Sequence, residues 1–164
     1  MCCSNRKCLK RCCGRCWRVA RVLVVYGPNL NLLGEREPGT YGTATLEDIS
    51  GAITALARTE GADVEFFQSN SEGEIIDRLQ AARHSHQAVV LNAGALSHYS
   101  YAVRDAVAAI AIPVIEVHMS NVAAREPFRA TSVIAPVCRG TIYGFGVESF
   151  LLGLRAAITL VKKR

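Results

Sequence analysis

Lysine is nearly absent from this chain. Its 164 residues hold only Lys7, Lys10, Lys162 and Lys163, all near the termini. Schiff-base catalysis needs a lysine in a desolvated pocket, so the core has none to offer that chemistry. Cysteine is just as uneven: Cys2, Cys3, Cys8, Cys12, Cys13 and Cys16 crowd the start, and Cys138 stands alone after them. A body with one cysteine has no disulfide framework and fits a reducing, cytoplasmic setting. Apolar runs stay at strand length, far short of the ~18 residues that mark a transmembrane helix. No apolar segment follows the basic start, so neither a secretory signal nor a membrane partner is expected.

Cofactor and metal motifs are also missing. Gly144-Phe145-Gly146-Val147-Glu148-Ser149 lacks the third glycine of a dinucleotide fingerprint and precedes the last helix rather than the first. There is no Walker-type sequence, and the first loop has no Ser/Thr-rich cradle for a flavin phosphate. His84 and His86 fall at a helix end with no carboxylate arranged around them and read as solvated. His98 and His118 sit on different strand ends without a third ligand at metal spacing. No cofactor and no metal are expected in the body.

The formal charge of +5 belongs to one end. Arg6, Lys7, Lys10, Arg11, Arg15, Arg18 and Arg21 lie in an opening stretch without a single acid. The twelve remaining basic residues face fourteen acids, a net charge of about −2, so no nucleic-acid face is expected. Residues 1–20 thus form a basic, cysteine-rich extension distinct from a domain at 21–164. Disorder, or an upstream start that the native protein does not use, explains it most simply. Cys13 and Cys16 make a lone CxxC with no second pair and no histidine, a poor zinc site. Acylation of Cys2 and Cys3 beside the basic patch is an equally thin alternative.

From residue 21 the pattern alternates. Strand-like apolar runs occupy 21–26, 63–68, 88–92 and 113–118, with another expected around 132–136. Helix-period segments lie between them. Leu46, Ile49, Ile53 and Leu56 share one face of 45–58, and Ser71-Glu72-Gly73-Glu74 has the form of a capping box ahead of Ile75, Ile76 and Leu79. Ala102, Val103, Ala106, Val107 and Ile110 stripe a third helix, and the last runs from about 146 to 161. Such alternation means an α/β fold, a parallel sheet covered on both faces. Ligands bind such sheets beyond the carboxyl ends of the strands, at a switch in strand order. Asn29, Asn92, His118 and Ser120 all fall at strand ends and so point to one crevice.

Two segments hold chemistry there. The loop from Gly27 to Gly42 is rich in Gly and Pro yet holds Asn29, Arg36 and Tyr41, polar residues with no turn-making role. Glu116, His118 and Ser120 follow at period two, which puts them on one face of a strand, with a carboxylate beside an imidazole to fix its tautomer.

The chain resembles the type II 3-dehydroquinate dehydratases. The resemblance rests on the Gly27–Gly42 loop, on Asn92-Ala93-Gly94-Ala95-Leu96-Ser97-His98, on Arg104-Asp105 and on Glu116-Val117-His118-Met119-Ser120-Asn121. It continues through Ala124-Arg125-Glu126-Pro127-Phe128-Arg129 and Gly140-Thr141-Ile142-Tyr143-Gly144-Phe145-Gly146, and covers roughly Arg21 to the C-terminus. It implies a flavodoxin-like, doubly wound five-stranded parallel sheet with helices on both faces. It also implies anti elimination of water from 3-dehydroquinate to 3-dehydroshikimate through an enolate, without a cofactor, in a dodecamer built from trimers.

The same resemblance implies roles. Tyr41 would be the base and His118 the acid that protonates the departing hydroxyl. A free tyrosine ionises near pH ~10, and lowering that by two units takes about 2.7 kcal/mol of phenolate stabilisation. An arginine in a water-poor site supplies energy of that order; Arg36 is the first candidate and Arg125 the second. Asn92 with the Met119 and Ser120 amides would hold the substrate carboxylate, and His98 and Arg129 the ring hydroxyls. Asp105 would reach substrate from a neighbouring subunit, and Asn29 would orient groups near the base. Tyr26, Ser97 and Tyr99 depart from the family's usual residues, and none has an assigned chemical role. The same reaction serves aromatic biosynthesis and quinate breakdown. A flavodoxin-like binding protein that lost turnover is the rival from another class, opposed by the joint presence of Tyr41, Arg36 and His118.

Overall fold

In the computed structural model, residues 19–35 and 42–163 are described. Five strands form one parallel sheet: β1 (Ala20–Tyr26), β2 (Ala62–Gln68), β3 (Ala88–Asn92), β4 (Val114–His118) and β5 (Gly140–Tyr143), in the order β2-β1-β3-β4-β5. Strands β1 and β3 are largely apolar, and β4 is buried throughout despite Glu116 and His118, because both faces of these inner parallel strands are covered.

Four helices cover the sheet: α1 (Leu46–Glu60), α2 (Glu72–Ser85), α3 (Tyr101–Ala109) and α4 (Glu148–Lys162). Val22 and Val24 of β1 pack with Ile49 and Ile53 of α1 and Phe150 and Leu154 of α4. Leu23 and Val25 pack on the other face with Ile75 and Leu79 of α2 and Val103 and Val107 of α3. Two helices per face make the flavodoxin-like, doubly wound arrangement. No helix among the described residues is long and apolar enough to cross a membrane.

Helix starts follow local chemistry. Thr45 and Asp48 form a full capping box at α1. At α2 only half of the expected box forms. The Ser71 hydroxyl accepts from the Glu74 amide, but the Glu74 carboxylate takes the Ser69 hydroxyl instead of turning back to Ser71.

The last strand lies away from the expected 132–136. That apolar stretch has its backbone amides committed elsewhere: Ile134 and Ala135 both donate to the Ser132 hydroxyl, and Pro136 has no N–H to give a ladder. It forms a 3-10 turn, Ala135–Val137, with Ile134 fully buried against the α3 side. The true β5 is a short, largely exposed edge strand.

Tyr26 is absorbed by the core. Its ring stacks on Phe66 with centroids 6.1 Å apart and meets Phe150 edge-on at 5.4 Å, and its hydroxyl is 3.1 Å from Ser50 Oγ. Burial pushes the phenol up to about 12, so Tyr26 is no candidate base.

Helix α4 approaches the sheet closely at Gly153, where a Cβ would lie 2.7 Å from Val117 Cγ1 and 3.3 Å from Val90 Cγ1. Overpacking of this kind costs about 1–3 kcal/mol, against a gain of roughly 0.5–1 kcal/mol from replacing a mid-helix glycine. Gly153→Ala is therefore expected to lower the urea midpoint with an unchanged denaturant slope; a midpoint at or above wild type contradicts the contact.

Candidate active site

The crevice opens at the carboxyl ends of β1, β3 and β4, where the chain's direction across the sheet reverses between β1 and β3. The first two strand ends are locked together. Gly27 N–H donates to the Asn92 carbonyl at 2.7 Å, and a Cβ on Gly27 would sit 2.6 Å from the Ala93 carbonyl carbon. Only glycine permits that approach. Two residues later Asn29 takes a left-handed conformation, φ 67°, which asparagine tolerates better than other non-glycine residues. Its N–H donates to Asn70 Oδ1 at 2.9 Å. Asn92 turns its Oδ1 onto the Gly94 N–H at 3.1 Å, which fixes its amide at the strand end.

Asn29, Asn92, His98, His118, Met119, Ser120 and Arg129 line one cavity of about 140 Å³. Arg125 lines an adjoining hollow with Ser120, Gly42 and Thr43, and its guanidinium lies 3.4 Å from the Ser120 hydroxyl and 3.4 Å from Glu126. Asp105 is exposed on α3 and is not among the residues lining the cavity. Arg36 and Tyr41 lie outside the described residues, as do the Cys13–Cys16 pair and the acylation candidates Cys2 and Cys3.

The electrostatic centre of the site is a buried pair. Glu116 is 0% exposed, and its Oε1 accepts the Nε2–H of His118 at 2.9 Å. A carboxylate accepts only, so the ring must hold a proton on Nε2, and Nδ1 is left as its second proton carrier. Burial pushes the Glu116 carboxyl up. The hydrogen bond and charge of His118, joined by the Ser132 hydroxyl, outweigh burial, so the group ionises below the ordinary glutamate value. Ser120, expected on the same strand face, lies beyond the end of β4 in a bend, still on the cavity wall.

His98 stacks on His118, centroids 5.9 Å apart and planes 17° from parallel. Its Nδ1–H donates to the Thr131 carbonyl at 2.9 Å, which leaves Nε2 as an acceptor for a ligand hydroxyl. Burial lowers its pKa, and the nearby charges of His118 and Arg129 push the same way, so the ring is neutral at neutral pH. Arg129 is held by Glu126 at 2.7 Å and lies over the Phe128 ring, 4.8 Å from its centroid.

Two histidine assignments separate here. His84 is exposed, as expected. His86 is not: it is 4% exposed, with Nε2 3.1 Å from Glu65 Oε2 and Nδ1 2.9 Å from Ser85 Oγ. Its carboxylate comes from β2, distant in sequence, which inspection of the helix end alone misses. Ser132, which donates to Glu116, carries no sequence signal of its own, because the apolar pattern over 132–136 reads as a strand.

An α/β protein of flavodoxin-like topology, with a buried carboxylate–imidazole pair at its switch-point crevice, is the class this geometry defines. The family model described as Dehydroquinase class II matches residues 20–158, and the chain belongs to that family. A 3-dehydroquinate dehydratase of Desulforudis audaxviator is 57% identical over 143 residues, covering 87% of this chain and 95% of the relative. One from Pelotomaculum thermopropionicum is 56% identical over 140 residues, 85% of this chain and 97% of the relative. The crystal structure of a type II dehydroquinase from Butyrivibrio crossotus superposes with a TM-score of 0.83 at 43% identity, covering 85% of this chain and 97% of that one.

Because Glu116 ionises more readily folded than unfolded, its contribution to stability is complete well above the ordinary glutamate value of 4.5 and is lost as pH falls through the lower folded value. Glu116→Gln is expected to lower stability at pH 7 and to flatten the acid side of a stability–pH curve. An acid side of unchanged steepness in the variant would show that Glu116 is not the group responsible.

Proposed function

We propose that this class II dehydroquinase dehydrates 3-dehydroquinate to 3-dehydroshikimate by anti elimination, with Tyr41 as base and His118 as acid. The observation that supports this best is the Glu116–His118 pair on the wall of a cavity whose β1 side leads into the loop bearing Arg36 and Tyr41.

In this mechanism the Tyr41 phenolate removes a proton from the carbon beside the ketone, and the C–H electron pair forms an enolate. Arg36, with Arg125 as second candidate, stabilises the phenolate by its fixed positive charge. The enolate then re-forms the carbonyl and expels the hydroxyl on the β-carbon. His118 donates a proton to that hydroxyl as it leaves, so water departs. Ionised Glu116 accepts from Nε2–H throughout and balances the charge of the ring while Nδ1 also holds a proton. Proton exchange with solvent returns Tyr41 to phenolate and His118 to acid.

Binding falls to the remaining residues. Asn92, the Met119 and Ser120 amides and the Ser120 hydroxyl hold the substrate carboxylate. Neutral His98 accepts from a ring hydroxyl through Nε2, and Arg129 donates to another. Asn29 orients groups near the base. The two lysines among the described residues lie away from the cavity: Lys162 reaches the Glu60 carbonyl at the far end of α4, and Lys163 is exposed beside it.

We place the enzyme in the cytoplasm and in the shikimate pathway; a requirement for aromatic amino acids on loss of the gene separates this from quinate breakdown. We also propose a dodecamer of trimers, because exposed Asp105 can serve a substrate site only in a neighbouring copy. Sedimentation of the full chain is expected to give twelve times the protomer mass; a monomer with full activity would remove Asp105 from the mechanism.

The decisive assay is the near-ultraviolet rise of the conjugated product on adding 3-dehydroquinate. Tyr41→Phe and His118→Ala are each expected to lower kcat by roughly 10²–10⁴-fold. No turnover by correctly assembled wild type would leave only a binding protein.

A further inference from the structure

Ser132 hydroxyl chemistry is constrained from three sides. Its oxygen accepts from two backbone amides, Ile134 N–H at 3.2 Å and Ala135 N–H at 3.0 Å. A hydroxyl has two lone pairs and one proton, so both acceptor positions are taken. The proton must point away from those amides, and there it meets the Glu116 carboxylate, with Oε1 at 2.9 Å and Oε2 at 3.1 Å. The Ser97 carbonyl is the more distant alternative at 3.3 Å.

We propose that Ser132 is a positioning residue for the dehydration, a one-way donor that holds Glu116 as an acceptor and thereby assigns the shared proton to His118 Nε2. The inference rests on the dehydratase reading for its kinetic consequences, but not for its structural content. The chain of donation runs from the Ile134 and Ala135 amides to the Ser132 hydroxyl, from that hydroxyl to Glu116, and ends at the proton on Nε2. A serine free to rotate could accept from a protonated Glu116 as easily as it donates to an ionised one. Here rotation would sever two backbone hydrogen bonds, so the polarity of the chain is fixed. With Nε2 committed, Nδ1 is the nitrogen left to exchange a proton with substrate.

Among the described residues, the one other hydroxyl that favours ionised Glu116 is that of Ser97, which does so less than Ser132 and makes no hydrogen bond within range. The neighbours of Glu116 across the sheet are Leu91 on β3 and Thr141 on β5. The Cys138 thiol, which burial and the Glu116 charge push up to about 12, stays neutral. His98 and Arg129 lie on the far side of His118, within electrostatic reach but not in contact with the carboxylate. Ser132 is also three residues beyond Arg129 in sequence, and the intervening Thr131 carbonyl orients His98. One short segment therefore sets both stacked imidazoles.

The test compares wild type, Ser132→Ala and the conservative Ser132→Thr as full chains. Three readouts are needed: kcat and KM against pH, and the ¹⁵N shifts of the His118 ring. Loss of a hydrogen bond to a charged group predicts that Ser132→Ala lowers kcat about tenfold or more, with KM changed less than about twofold. The acid limb of its kcat profile is expected to move to higher pH, because Glu116 then ionises less readily. The ring nitrogens are expected to lose their distinct Nε2–H signature, and Ser132→Thr to restore all three properties. If the alanine variant does not fold, Ser132→Cys, similar in size but a weak donor, replaces it. Unchanged kcat profile and ring shifts in these variants overturn the proposal and leave Ser132 as a turn cap. A raised KM with intact ring shifts overturns it equally, by moving Ser132 to substrate binding. The ring shifts are read without substrate, so a wild type that fails to turn over sinks the dehydratase reading while the spectrum still decides the role of Ser132.

Discussion

A fully buried carboxylate is costly, several kcal/mol for an ion taken out of water without compensation. Glu116 sits on a central strand with 0% exposure, and the surrounding chain is arranged to meet its needs. Three consecutive residues answer in turn. Thr131 gives its carbonyl to His98, Ser132 gives its proton to Glu116, and Val133 N–H donates to the Ser97 carbonyl at 2.8 Å. This segment cannot also be a strand, because its polar groups are spent on the end of β4 and on the turn after β3. The sheet therefore waits until Gly140 for its last member. An apolar stretch was diverted from the sheet to support an ion, and the site owes its shape to that diversion.

The remaining walls are set by how closely the backbone can approach. Gly27 lets the end of β1 press on Ala93, which holds Asn29 and Asn92 on one side of the crevice. Behind that wall Tyr26 fills the core with its ring and ties its hydroxyl to α1. Tyr26 thus serves the packing behind the crevice and adds no second phenol to the chemistry. Substrate-facing groups rest on elements that the core cannot shift without losing burial, which is how a site holds geometry to the fraction of an ångström that catalysis needs.

How far the sequence could be read followed the range of the interactions. Strands β1 and β3 were legible because parallel strands buried on both faces are largely apolar runs, and β2 and β4 because apolar residues recur along them; the expected limits of all four lie within a residue of the observed ones. The Glu116–His118 pair was legible because period two in a strand is a local rule. What escaped was long-range. Ser132 meets Glu116 sixteen residues away, and His86 meets Glu65 on an edge strand beyond a whole helix. Nothing near Ser132 or His86 in the chain announces either partner. The misplaced fifth strand has the same origin: Val133 and Ile134 are apolar for burial, and only the third dimension shows that they are buried outside the sheet.

The two stacked imidazoles raise a problem that the arrangement resolves. Rings with centroids 5.9 Å apart repel if both are charged, and a site that needs one acid gains nothing from two. His98 has its Nδ1–H fixed by a carbonyl, which favours the charged ring, but burial outweighs that support and the charges of His118 and Arg129 oppose protonation further. His118 has a carboxylate instead. Identical side chains, stacked and lining one cavity, are thus divided into a neutral acceptor and a proton carrier by what each ring's committed nitrogen touches. The only other titratable residue among the described lining of that cavity is Arg129, whose charge does not change in the working range. Proton traffic on this wall therefore has a single route, through the ring that Glu116 holds.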